Sequence, residues 1–390
     1  MRARYRDALD LLFGTPPRVL NTACSAIPAP TSLINQENDH RPSEKQSQPI
    51  TAKPRAYPKR TRQRPHFGPA SPVLQNVKVA IPNDQVVPEG MVRVNPPVNK
   101  ATPPVCSQSE SCRCGEDLWT VGGVGPELML RTAEELSAQI FRLYGKAVDP
   151  ETSNVDYAAL QSWDNFHDYL RSARKLRYLD PLLLSELERK AFFLNIYNSL
   201  MIHAIAVMSR PRTMFQRISL YNTAAYDIGG RAYTLNMIEH GVLRSNRPGS
   251  GPFAQPPFTD NDARKLCSLQ SVDARIHFAL NCGARSCPAV RFYAADTLDR
   301  TLDAATHVYL QEIEVDSDKC TITLPKLLQW YKADFSPDGE LESVIRWTLP
   351  HLDSQKRDVI SALLQDKRQR LGGYKVVYAG YDWTVNDSAL

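Results

Sequence analysis

No stretch of 18 or more consecutive apolar residues occurs in the 390-residue chain, so the sequence predicts no membrane-spanning segment. Cysteine is sparse as well. Eight in 390 residues is far below the density of a disulfide scaffold and suits a reducing compartment, which makes the cytoplasm the expected location. Also missing are GxxxxGKS/T, GxGxxG and HExxH patterns, so phosphate-loop, dinucleotide and common zinc-protease chemistry has no local support. The opening residues MRARYRDALDLLFGTPPRVLNTACSA place arginines before an apolar patch, but Asp7 and Asp10 interrupt it. It fits neither a secretory signal nor an acid-poor mitochondrial presequence.

Proline and positive charge are abundant, and both are unevenly spread. Seventeen of the 29 prolines precede Cys106. Residues 1–100 carry 15 Lys and Arg against 7 Asp and Glu, while the rest carry 32 against 35; the net +5 is a basic tail on a slightly acidic body. That body lacks the concentrated positive field that specific nucleic-acid recognition needs. Residues 1–118 have few aromatics and no sustained period, so they read as a disordered, Pro-rich tail that suits protein partners, ahead of one domain over 119–390. Within the tail, Lys59, Arg60, Arg62 and Arg64 form a basic cluster suited to nuclear import or to simple solvation. Cys106, Cys112 and Cys114 lack the paired spacing and fourth ligand of a zinc site, and neither a metal nor a cofactor is expected.

Periodic segments follow. Residues 126–143, 156–174 and a segment from about Ser185 read as helices; 186–208 is apolar on nearly all sides and predicts a buried central helix. Gly229-Gly230 between two short apolar runs predicts a hairpin, with Thr234 capping a short helix after it. RIHFALN, residues 275–281, alternates like a strand, which would set His277 and Asn281 on one face about 13 Å apart. Residues 297–312, 340–349 and 354–371 read as helices and 320–324 as a strand; YKVVYAGYDWTVND reads as a closing strand pair. Helices first, then strands mixed with helices, give an α+β class with the central helix packed on a small antiparallel sheet.

HFALNCGARSCP holds the densest set of reactive side chains. Cys282 and Cys287 are candidate nucleophiles, His277 or His240 a candidate base, and Asn281, Glu239 or Asp382 a candidate orienting group, with the Arg285 cation and Ser286 beside them. The loop between the cysteines offers backbone N–H groups to an oxyanion. A buried thiol and a core histidine are the competing structural reading. Asn195 and Asn198 share one face of the buried helix; their amides either tie it to loop backbone or contact a ligand, and the Tyr197 hydroxyl needs a partner as well. Asp382, between Tyr381 and Trp383, reads either as a desolvated carboxylate or as a turn residue.

KAFFLNIYNSLMIHA, YDIGGRAYTLNMIEHGVLR, DARIHFALNCGARSCPAVRFY, LPKLLQWYKADF and YDWTVND together resemble, in order, the motifs of the domain-of-unknown-function family numbered 547. The resemblance spans roughly residues 125–387 and leaves the tail outside. It implies a real polar site, not a particular activity. The arrangement is also similar to the papain and transglutaminase architecture, with one departure: the central helix has no cysteine at its start. The readings that follow are a cytosolic thiol-dependent hydrolase or acyltransferase acting on an unknown protein or small molecule, or a non-catalytic interaction module. CxxxxC spacing and a reducing compartment predict that Cys282 and Cys287 are free thiols.

Overall fold

A computed structural model of the chain describes residues 124–208, 210–249, 254–366 and 374–389. The tail of residues 1–118, its basic cluster and Cys106, Cys112 and Cys114 lie outside the described residues.

Helix α1 spans Pro126–Ala147, with proline in its first turn where an N–H would have no helical partner. The predicted helix over 156–174 is broken at Trp163, whose extended backbone (ψ 140°) separates α2, Tyr157–Ser162, from α3, Asp164–Ala173. Central α4 spans Glu186–Val207. Ser185 opens it with a capping box: its hydroxyl accepts from the Glu188 N–H, and the Glu188 carboxylate accepts from the Ser185 N–H at 2.9 Å. Every residue from 191 to 206 is buried.

By length and composition α4 passes for a membrane-crossing helix, yet 89% of its most apolar window is buried inside the protein, in keeping with the expected buried central helix. Its neighbours are those of a core helix. Ser199 bonds Ser137 of α1, Phe193 packs on Tyr233 and His203 packs on Tyr226. Those tyrosines belong to the hairpin β1, Ala225–Ile228, and β2, Arg231–Thr234, after the exposed helix α5, Met214–Thr223. Gly229 and Gly230 both have positive φ, as a two-residue hairpin turn requires. The fold is thus α+β, with the central helix against a small antiparallel sheet.

Thr234 accepts the Met237 N–H at 3.2 Å and starts the predicted short helix, which is π-wound over Met237–Leu243. RIHFALN differs from expectation. It is a 3-10 turn, Ala274–Phe278, opened by Asp273 accepting the Arg275 N–H. Its apolar residues divide between two cores: Ile276, Ala279 and Leu280 join the core around α4, and Ala274 and Phe278 join a second core. His277 and Asn281 therefore do not share a strand face.

The second core is built from α6, Leu298–Leu310, strands β3, Glu314–Asp316, and β4, Thr321–Leu324, then α7, Lys326–Trp330, α8, Lys332–Phe335, α9, Leu341–Thr348, and α10, Ser354–Asp366. Strand β5, Lys375–Tyr378, pairs in parallel with β4, which itself pairs antiparallel with β3. The expected closing strand pair does not form. Residues 382–387 instead tie to the cysteine loop and to Val155 through single bridges at Ala284–Val385 and Val155–Asp387.

Candidate functional site

The α4 amides act as clamps. Asn195 exchanges both amide bonds with the Tyr293 backbone, at 2.7 and 2.9 Å; Asn198 donates to the Ala279 carbonyl at 3.0 Å and accepts the Asn281 N–H at 2.9 Å. Both satisfy loop backbone that burial would otherwise leave unpaired, at a cost on the order of 1–3 kcal/mol each. Asn281 continues the pattern. Its side chain accepts from Gly283 and donates to the Pro288 carbonyl, so it holds the two ends of the cysteine loop together and orients no histidine.

That loop lies against α4. Gly283 has φ +75°, and a Cβ there would meet Ile205 Cδ1 at 2.3 Å. The Cys287 N–H closes a tight turn onto the Ala284 carbonyl at 3.0 Å, and the Cys282 N–H points at Cys287 Sγ at 3.1 Å. Both sulfurs touch the Tyr381 hydroxyl, at 3.5 Å from Cys282 and 3.3 Å from Cys287. No disulfide joins them, and both residues are half-buried. Beneath them the buried Arg217 donates to the Cys282 carbonyl at 2.9 Å and to the Trp383 carbonyl.

Together these groups polarise one sulfur. A hydrogen bond from the Cys287 thiol, against the opposing effect of burial and with help from Tyr381, Arg217 and the Ala284 backbone, brings the Cys282 thiol down to about 6. Cys287 goes the other way: burial and its bond to Cys282 push its thiol well up. Tyr381, itself pushed far up by burial and by the nearby sulfurs, stays a donor. The two thiols are thus shifted in opposite directions, Cys282 down and Cys287 up.

The histidines are elsewhere. His277 Nε2 bonds Asp334 at 2.8 Å and its ring stacks on Tyr331 at 3.7 Å. Asp334 also accepts from Arg244 at 2.6 and 3.1 Å and from Arg247 at 2.9 Å, while Arg244 meets His240 Nδ1 at 2.9 Å. Glu239 accepts from Tyr331 at 2.6 Å and from Tyr197 at 3.2 Å; its nearest approach to His240 is 3.6 Å, too long for a hydrogen bond. Burial lowers both His277 and His240 despite nearby carboxylates, so both imidazoles are neutral at neutral pH. Asp334 and Glu239 are ionised: burial opposes their charge, and the surrounding donors and cations overcome it. No hydrogen bond joins an imidazole to Cys282 or Cys287 among the described residues.

The remaining candidates shape the loop. Ser286 Oγ accepts the Asp382 N–H at 2.8 Å. Asp382 is exposed and accepts from Thr384 in a turn, which favours its structural reading and sets aside the desolvated carboxylate. Arg285 is exposed; its N–H donates to the Thr384 carbonyl. The loop offers few donors to an oxyanion, because the N–H groups of Gly283, Arg285, Ser286 and Cys287 are already bonded within the protein.

Tyr331, Asp334, Arg244, Arg217 and Tyr381 are site residues the sequence reading did not single out. Four lie inside quoted motifs: Arg244 follows His240 by one helical turn, Tyr331 and Asp334 stand in QWYKADF, and Tyr381 adjoins Asp382. Arg217 carries no local signal. No group of three or more His, Cys, Asp and Glu side chains among the described residues is arranged to hold a metal.

Residues 181–310, which run from the start of the central helix through the cysteine loop to the end of α6, match the family model described as protein of unknown function, DUF547. No curated protein and no solved structure matches the chain.

Proposed function

From a chain whose central segment resembles DUF547, we propose a thiol-dependent enzyme whose nucleophile is the Cys282 thiolate. The observation that carries this is the setting of the Cys282 sulfur, which meets the Tyr381 hydroxyl at 3.5 Å while the buried Arg217 cation bonds the Cys282 carbonyl at 2.9 Å. A thiolate already formed at neutral pH needs no imidazole to take its proton. This supports thiol chemistry without a Cys–His dyad; among such chemistries, hydrolysis or acyl transfer draws less support, because the loop lacks free oxyanion donors. The working compartment in this reading is the reducing cytoplasm, with residues 1–118 as a partner-recruiting tail on a single domain.

The test is the alkylation rate of Cys282 in the full chain from about pH 5 to about pH 9, followed by peptide mapping. Expected is a midpoint near pH 6, set by the lowered thiol, against about 8.5 for the same peptide in the denatured protein. Equal midpoints would refute the nucleophile. A second reading, an interaction module, draws on the exposed Met214, Phe215 and Ile218 of α5, with Phe215 81% exposed. Cellular function retained in both Cys282→Ala and Cys287→Ala would favour it.

A further inference from the structure

We propose that Cys287 is a resolving thiol and that the substrate of this site is a disulfide. The proposal rests on the reading of Cys282 as nucleophile and adds what that sulfur attacks. Three features carry it. The Cys282 N–H meets Cys287 Sγ at 3.1 Å and both sulfurs share the Tyr381 hydroxyl, so the two side chains meet at one point. The positive-φ Gly283 followed by the tight turn Ala284–Cys287 brings the chain back on itself, so that Cys287 Sγ lies 3.1 Å from the Cys282 N–H despite the five-residue separation. Finally, exchange at sulfur requires neither an imidazole nor donors for a carbonyl oxygen, the two elements missing beside these cysteines.

Cys287 lines a cleft of about 430 Å³ with Ser286, Arg285 and Tyr309, and Tyr381 lines another of about 520 Å³ with Arg217 and Trp383; Cys282 lines neither and meets the second only through the Tyr381 hydroxyl. The loop between them is pinned from outside: Arg285 and Ser286 donate to the carbonyls of Thr384 and Asp382, and Gly283 accepts from Asn386. The backbone is therefore held while the side chains exchange bonds.

The steps balance as follows. The Cys282 thiolate attacks one sulfur of R–S–S–R′; the S–S bond breaks, Cys282–S–S–R forms and R′S⁻ leaves. The Cys287 thiol gives its proton to the departing thiolate or to water, and its sulfur attacks Cys282. The bond to R breaks, the Cys282–Cys287 disulfide forms and RS⁻ leaves. The substrate gains two electrons and the pair loses two. A low-molecular-weight monothiol, two equivalents per cycle, returns the pair to the dithiol.

The experiment uses the reduced full-length chain and one equivalent of 5,5′-dithiobis(2-nitrobenzoate), acid-quenched and mapped by mass spectrometry after alkylation. Expected in the wild type is a Cys282–Cys287 disulfide with about two thiolates released per disulfide consumed, one from each exchange. Cys287→Ser should stop at a Cys282 mixed disulfide and release about half as much. A mixed disulfide at Cys282 that persists in the wild type would overturn this proposal and leave the nucleophile standing. A Cys282 that remains a free, alkylatable thiol in the wild type would overturn both. Oxidised glutathione repeated on the wild type alone gives the same decision should the variant not fold.

Discussion

Two polar clusters adjoin the segment 274–288, and they differ in how completely they are paired. Around Asp334 every group has its partners: the carboxylate takes four donor contacts from His277, Arg244 and Arg247, and Glu239 takes two tyrosine hydroxyls. None of the orphaned buried polar atoms belongs to Glu239, His240, Arg244, His277 or Asp334. Around the sulfurs the pairing is looser, the residues are half-buried, and the two thiols are shifted in opposite directions, Cys282 down and Cys287 up. A fully satisfied buried network rigidifies its surroundings. The proposed nucleophile is placed in the looser cluster. The residue types most readily taken for catalytic, the histidines, lie in the closed cluster.

The largest effect should come from opening the closed cluster. Asp334→Ala strands Arg244, 5% exposed, and His277, 3% exposed, without their shared carboxylate. Breaking a buried pair in this way costs about 3–5 kcal/mol, read as a lowered urea midpoint. In the fraction that remains folded, the alkylation midpoint of Cys282 should stay near pH 6. A midpoint that moves by about a unit or more would show that the clusters act as one site. Acid makes the same cut reversibly. Because the Asp334 carboxyl is held below its ordinary value, its contribution is complete above about pH 4 and is lost as pH falls through the folded value.

A smaller loss should follow Gly283→Ala, which disturbs only the reactive side. The new methyl meets Ile205 Cδ1 at 2.3 Å on a backbone of φ +75°. Strain of about 1–3 kcal/mol is expected, together with slower closure of the Cys282–Cys287 disulfide. An unchanged denaturation midpoint would mean that the loop moves freely off α4.

Much of this was legible in the chain. The helix start near Ser185, the Gly-Gly hairpin, capping by Thr234, the buried helix and the clamping option for Asn195 and Asn198 each follow from local chemistry or from burial of a polar group. RIHFALN misled because its apolar residues alternate as in a strand, whereas the segment winds as a 3-10 turn and divides them between two cores, Ile276 and Leu280 in one and Phe278 in the other. Pairings made across the chain were hidden. His277 with Asp334 spans 57 residues and Cys282 with Tyr381 spans 99, and no local spacing encodes either.

The mildest change tests the sulfur pair alone. Tyr381→Phe keeps the ring that packs against Trp330 and Trp383, at 4.9 and 4.6 Å between centroids, and removes only the hydroxyl between the thiols. Losing one hydrogen bond of ordinary strength should cost about 0.5–1.5 kcal/mol of stability at most. The electrostatic consequence is more specific. Cys282 loses one donor to its thiolate but keeps the Cys287 thiol, the first cause of its lowered value, and the Arg217 cation. Its alkylation midpoint should therefore rise from near 6 by less than about one unit, while Cys287→Ala should raise it further. If Tyr381→Phe shifts the midpoint more than Cys287→Ala does, the hydroxyl and not the neighbouring thiol holds the charge on Cys282, and the resolving role of Cys287 loses its electrostatic basis.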